Sequence, residues 1–258
     1  AVAGFVASLF APPAPPAGAI MPVDWLFPRA IWSLVQLVRA HPPAFRAVLA
    51  ISWFWFLGAT FLSLLPAYAR DALGADESVL TALLAGFSVG VALGAVASEA
   101  LGRGEVGVAL PPIGALGLAV MAVELWFATP AQPLALAPDL IDRSGFFDTV
   151  AGWRIFADFI LLAAFAGIYV TPLNAVLQAE APKQRRARFI AASNMVDASF
   201  IIASALIVAL LIWVGLNATQ ILVLVTLSGL PMSLAVARYA PATWIGKVAR
   251  MLWPVSQR

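Results

Sequence analysis

The sequence contains no cysteine, so disulfides, thiolate nucleophiles and thiolate metal sites are all excluded. It has a single histidine, His41, which rules out any centre that needs several imidazoles. Charge is scarce as well: 11% of residues are Asp, Glu, Lys or Arg, against about 25% in a soluble domain. There is no glycine-rich phosphate loop, no metal-ligand spacing and no nucleophile paired with a histidine. His41 does not open an HxxxxD acyltransferase motif, because position 46 is Arg46. The chain is therefore expected to carry no catalytic centre, no metal and no cofactor, and to bind and move its ligand without breaking bonds.

What it has instead is apolar surface. Hydrophobic residues make up 62% of the chain, and the mean hydropathy is +0.95. That composition makes the bilayer the expected solvent and an all-α polytopic membrane protein the expected class. No stretch alternates apolar and polar residues with period two, so a β-barrel is not expected. The net charge of +2 is no sign of nucleic acid, because in a membrane protein the side on which the basic residues lie is what matters.

Six stretches are long enough to cross at ~1.5 Å per residue: 47–69, 79–98, 106–129, 153–179, 189–215 and 218–237. Gly215-Leu216-Asn217 divides the last two. Residues 1–11 (AVAGFVASLFA) are too few to span and are expected to be the end of a spanning helix that begins upstream. The Pro-rich stretch that follows opens a linker over 12–44. That linker contains RAIWSLVQLVRAH (29–41), an amphipathic helix either lying on the membrane surface or packed on protein as a connector. The six-helix unit covers 45–240, and 241–258 form a tail.

The connections set the orientation. Twelve basic residues fall on one face: Arg29, Arg39, Arg46, Arg103, Lys183, Arg185, Arg186, Arg188, Arg238, Lys247, Arg250 and Arg258. Arg70, Arg143 and Arg154 fall on the other. By the positive-inside rule both ends of the unit are cytoplasmic. Lys183, Arg185, Arg186 and Arg188 form a dense anchor beside anionic headgroups, with a hold on a phosphate-bearing substrate as the alternative.

Polar groups inside the apolar runs are the candidate site. A carboxylate at mid-membrane costs ~2.5–3.5 kcal/mol on insertion scales. Asp197 lies eight residues past Phe189, roughly 12 Å along a helix. Asn194, one turn earlier, is expected to share its face and complete a polar patch. The patch is either a substrate or proton contact or an interhelical hydrogen bond. Asn174 and Gln178 form a second pair that lines the same cavity or caps a helix end. Glu124, Asp158 and Arg154 lie near the other face, as interfacial residues or as an outer gate. Arg154, one turn from Asp158, is expected to pair with it. Gly86, Gly90, Gly94 and Ser98 make a small-residue stripe suited to close helix approach. Pro172 is expected to kink its helix.

ISWFWF (51–56), PLNAVLQ (172–178) and RARFIAASN (186–194) resemble segments of the major facilitator superfamily, specifically its bacterial lysophospholipid transporters. GAVASEALGRGEV (94–106) stands where that superfamily has its loop motif, in degenerate form. The resemblance runs over about 45–240 and is closest to the transporter domain fused to glycerophospholipid acyltransferases. It implies the C-terminal half of a twelve-helix transporter in the bacterial inner membrane, with the other six-helix half as partner. The implied substrate is a lysophospholipid moved inward for reacylation by a fused or separate acyltransferase. A non-transporting membrane anchor for such an enzyme and a drug exporter are the alternatives. The family pattern carries an asparagine where this chain has Asp197, which changes the expected headgroup preference.

Overall fold

The computed structural model describes residues 10, 27–102, 110–134 and 139–231. The expectations for residues 1–9, the Pro-rich linker stretch 11–26, Arg103, the start of the third span at 106–109, Arg238 and 241–258 lie outside them. The helices are α1 (Phe27–Arg39), α2 (Pro42–Ala67, extended by a π turn over Tyr68–Ala72), α3 (Glu77–Gly102) and α4 (Leu110–Ala128). They continue with the short α5 (Arg143–Phe147), α6 (Val150–Glu180), a 3-10 turn (Lys183–Arg185), α7 (Arg186–Trp213) and α8 (Ala218–Leu227). No strand occurs among the described residues, only an isolated bridge between Ala75 and Ile141.

Five of these helices are long and apolar enough to cross a membrane. The shortest, α4, has 19 residues, or about 28 Å of rise, close to the ~30 Å hydrocarbon core. The chain is thus an all-α multi-pass membrane bundle. The sixth expected span begins as α8 and runs apolar to Pro231; its remainder, 232–237, lies outside the described residues. The amphipathic stretch at 29–41 is α1, a connector packed on α2 and α7 with Val38 buried.

Local chemistry places the helix ends. Pro42 and Pro43 open α2, where a missing N–H costs nothing. Thr149 caps α6 by accepting from Gly152 N–H at 2.9 Å. Asn217 and Gln220 form a reciprocal capping box at α8. The reversal before it needs Gly215, whose φ of 98° is left-handed.

α6 is the central element, packed by α3, α4 and α2. On the α3 side, a Cβ on Gly90 would strike the Ile160 carbonyl, and one on Gly94 the Ala164 carbonyl. Gly167 answers from α6 against the backbone of Val91 and Gly94. The small-residue stripe is therefore a seam of near backbone contact, with Gly86, Gly90, Gly94 and Ser98 all buried. On the α4 side, Gly114 and Gly117 leave room for Tyr169 and Phe165. Tyr169 donates to the Ala50 carbonyl at 3.0 Å, tying α6 to α2. Pro172 is buried inside α6.

At the end of the bundle where α2 meets α3, the loop before α6 is clasped onto the α2–α3 turn. Ile141 N–H donates to the Gly74 carbonyl, and Asp76 N–H to that of Ile141. Asp76 Oδ1 accepts from the Ser78 hydroxyl at 2.6 Å and from the Ser78 and Val79 N–H groups. Ser78 Oγ in turn accepts from Arg143 N–H at 2.9 Å. Asp142 accepts from Gly145 N–H and the Ser144 hydroxyl. The Ser78 hydroxyl above all holds the Asp76 carboxyl below its ordinary range, and Gly145 N–H does so for Asp142; each favours the charged form.

Two outcomes are expected. Gly94→Leu should lower stability by about 1–3 kcal/mol through overpacking. Gly58→Ala, where a Cβ meets nothing within 4 Å, should be neutral or stabilising by up to ~1 kcal/mol. Denaturant titration in detergent measures both. Depressed folded-state values mean the clasp contributes fully above about pH 4 and loosens as pH falls through the values of Asp76 and Asp142. Hydrogen exchange at Ser78, Val79 and Gly145 should accelerate on acidification, ahead of the helical core.

Candidate functional site

Asp197 is 6% exposed. On α7 it shares one buried stripe with Phe189, Ser193, Ser204 and Val208, spaced at four or seven residues and facing α2. Ser52 of α2 donates to its Oδ1 at 2.6 Å, and Ser193 donates to Oδ2 at a longer 3.4 Å. Two hydroxyls thus solvate the carboxyl, and the shorter bond crosses between helices. Asn194 does not join them. It sits about 60° around the helix from position 197, past the edge of the α2 contact, and is exposed. The expected Asn194–Asp197 patch is corrected on this point: the partners of Asp197 are hydroxyls, and it ties α2 to α7.

The same segment of α2 makes a second tie. Trp53 donates from Nε1 to Ser228 Oγ at 3.1 Å, beyond α8, and its ring meets Tyr169 edge-on at 5.4 Å. Adjacent residues of ISWFWF therefore hold opposite neighbours, Ser52 gripping α7 and Trp53 gripping α6 and α8. Sequence reading missed Ser52 and Ser193; the four-residue step from Ser193 to Asp197 was the available signal for the latter.

Asn174 and Gln178 are exposed on one side of α6, one turn apart. Asn174 Nδ2 donates to the Val170 carbonyl at 3.1 Å. Lys183, Arg185, Arg186 and Arg188 are exposed at the adjoining start of α7. His41, at the start of α2, meets Phe189 at 5.1 Å, so the basic ends of α2 and α7 lie together.

At the opposite end a second polar group gathers from α2, α4 and α6. Arg154 reaches Glu124 of α4, with Nη2–Oε1 at 2.6 Å and Nε–Oε1 at 2.8 Å. The expected Arg154–Asp158 pair is replaced by this one. The reason is solvation: Arg154 and Glu124 side chains are 48% and 35% exposed, so their pairing strips little water, whereas Asp158 is 5% exposed. Asp158 Oδ2 is buried without a hydrogen-bond partner. Nearby, Tyr68 Oη and Thr129 Oγ1 are 2.8 Å apart, and Tyr68 begins the π turn, a distortion frequent at functional sites. A cavity of about 960 Å³ opens at this end between Leu64, Asp71, Trp126, Phe127, Ile212 and Asn217. It is remote from the basic cluster, and nothing in the sequence pattern announced it.

Among the described residues, no group of three or more metal-ligating side chains comes together. Comparison with protein-family models, with curated proteins and with solved structures returned no match.

A double-mutant cycle on Ser52→Ala and Asp197→Asn should show a coupling of about 0.6 kcal/mol in the unfolding equilibrium, the average for hydrogen bonds between membrane helices, and at most ~1.7 kcal/mol. Additive effects would show that the bond does not hold α2 to α7.

Proposed function

We propose that this chain is part of a membrane transporter of the major facilitator type that moves lysophospholipids across a bacterial inner membrane toward reacylation. The observation that carries the reading is the exposure of Asn174 and Gln178 on a spanning helix. An amide facing hydrocarbon keeps only part of its hydrogen bonding, as Asn174 does through Nδ2, and each polar group left unmet costs several kcal/mol. Such a face is tolerated where it lines a wet cavity, and Asn194 adds a third exposed amide on α7. A second six-helix half, implied by the resemblance of ISWFWF, PLNAVLQ and RARFIAASN, would close that cavity.

The chemistry suits an amphiphile. Outward amides offer both donors and acceptors to a glycerol hydroxyl and a phosphodiester. The cations at the start of α7 supply charge for the phosphate and, by the positive-inside rule, mark the cytoplasmic end. Asp197 has a separate part in this reading: it holds the α2–α7 frame on which the amide face is displayed.

Full-length protein in proteoliposomes should transport labelled lysophosphatidylethanolamine. Asn174→Ala and Gln178→Ala should each raise the half-saturating concentration roughly fivefold, the equivalent of one hydrogen bond near 1 kcal/mol. Transport that survives the double variant unchanged would remove the amide face from the site. Absence of lysolipid transport by the intact protein would remove the substrate.

A further inference from the structure

At the end remote from the basic cluster, two carboxyls lie in the field of one guanidinium, and only one of them is bonded to it. Glu124 of α4 holds Arg154 through both Nε and Nη2. Asp158, four residues beyond Arg154 on α6, is buried with Oδ2 unpartnered. The charges acting on it are those of Glu124 and Arg154.

Among the described residues, the other cations at this end, Arg70 of the π turn and Arg143 of α5, are exposed, as is Asp71 beside Arg70. Tyr68 of the π turn is close enough to interact electrostatically with Asp158, but its proton is committed. Thr129 donates to the Leu125 carbonyl at 2.6 Å, so in the Tyr68–Thr129 bond the tyrosine must be the donor. The Tyr68 oxygen can then accept from a neutral acid but cannot donate to an anion. α3 meets this part of α6 through Gly86, against Phe156 and Ile160, and its Glu77 is exposed. On and around α5, Asp142, Arg143 and Asp148 are exposed too. Fully ionised, the cluster would hold two negative charges against one positive inside a spanning segment. One added proton makes it neutral.

We propose that Asp158 is a proton-binding site, protonated while Arg154 is engaged by Glu124 and deprotonated when Arg154 turns to it. The exchange moves one guanidinium between two acids, Glu124 on α4 and Asp158 one turn along its own helix. The released proton leaves by the exposed side of Arg154 to water. No bond other than O–H breaks, and no co-reactant is needed. The site lies at the π turn that ends α2, so the protonation state bears on how α2, α4 and α6 meet there. The inference is independent of which molecule is transported.

Infrared spectroscopy of the full chain in lipid at neutral pH tests it. Wild type should show the carbonyl stretch of a protonated carboxyl, shifted in heavy water. Asp158→Asn should lose it. Glu124→Gln, a change at a half-exposed position that keeps Asp158 in place, should lose it too, because the freed Arg154 then pairs with Asp158 and expels its proton. Asp197→Asn should keep it. Persistence of the band in either of the first two variants, or its loss in the third, would overturn the proposal.

Discussion

Lipid gives almost no reward for pressing one apolar helix against another, so this bundle depends on how closely its backbones can approach. The seam between α3 and α6 supplies that approach. Gly86, Gly90 and Gly94 face Phe156, Ile160, Ala163 and Ala164, and Gly167 faces back. Dispersion between surfaces at that distance replaces the hydrophobic term that water would otherwise supply. Because α6 also receives α4 and α2, its position fixes where Arg154, Asp158, Asn174 and Gln178 lie. The polar chemistry of the chain is displayed along a rod that glycine packing holds in place.

Donor accounting separates the two buried carboxyls. Asp197 meets two hydroxyls, one on another helix, and becomes a joint. Asp158 meets a tyrosine whose proton is already given away and an arginine held elsewhere. Composition treats the two acids alike, since each is a lone carboxylate in an apolar run at similar cost. Their difference comes entirely from what the neighbouring helices bring opposite them.

Much of the fold was legible in the sequence because hydrocarbon imposes a coarse rule. About twenty residues with almost no charge make a span, and the stretches at 79–98 and 153–179 fall inside α3 and α6, while 47–69 falls within α2 and its π turn. The Gly86–Ser98 stripe and the Gly215–Asn217 turn were readable for similar reasons, one from small residues at helical spacing and one from a left-handed glycine before a cap. Partners across helices were not readable. Helical period tells which side of α7 carries Asp197, but Ser52 lies 145 residues away in the chain. Local spacing favoured Asn194 for Asp197 and Asp158 for Arg154, and tertiary packing overrode both. In the first case the contact stripe was narrower than the spacing rule assumed. In the second a better-hydrated acid on α4 was within reach.

The distribution of ties across the bundle says which parts can move together. The Ala75–Ile141 bridge and the linked Asp76 and Asp142 caps lock the α2–α3 turn to the segment leading into α6. With the glycine seam, α3 and α6 are thereby held along their length and at one end. α7 is different: it buries a single stripe, whose carboxyl accepts one short bond from α2, while Ile202, Leu206 and Trp213 are exposed. An element so lightly committed can shift against the α3–α6 block without breaking a core, whereas separating α3 from α6 would open backbone-close contacts along about two turns. Under the proposed transport function, motion would fall between blocks rather than within them, and the amides of α6 and α7 would border the surface along which such blocks part.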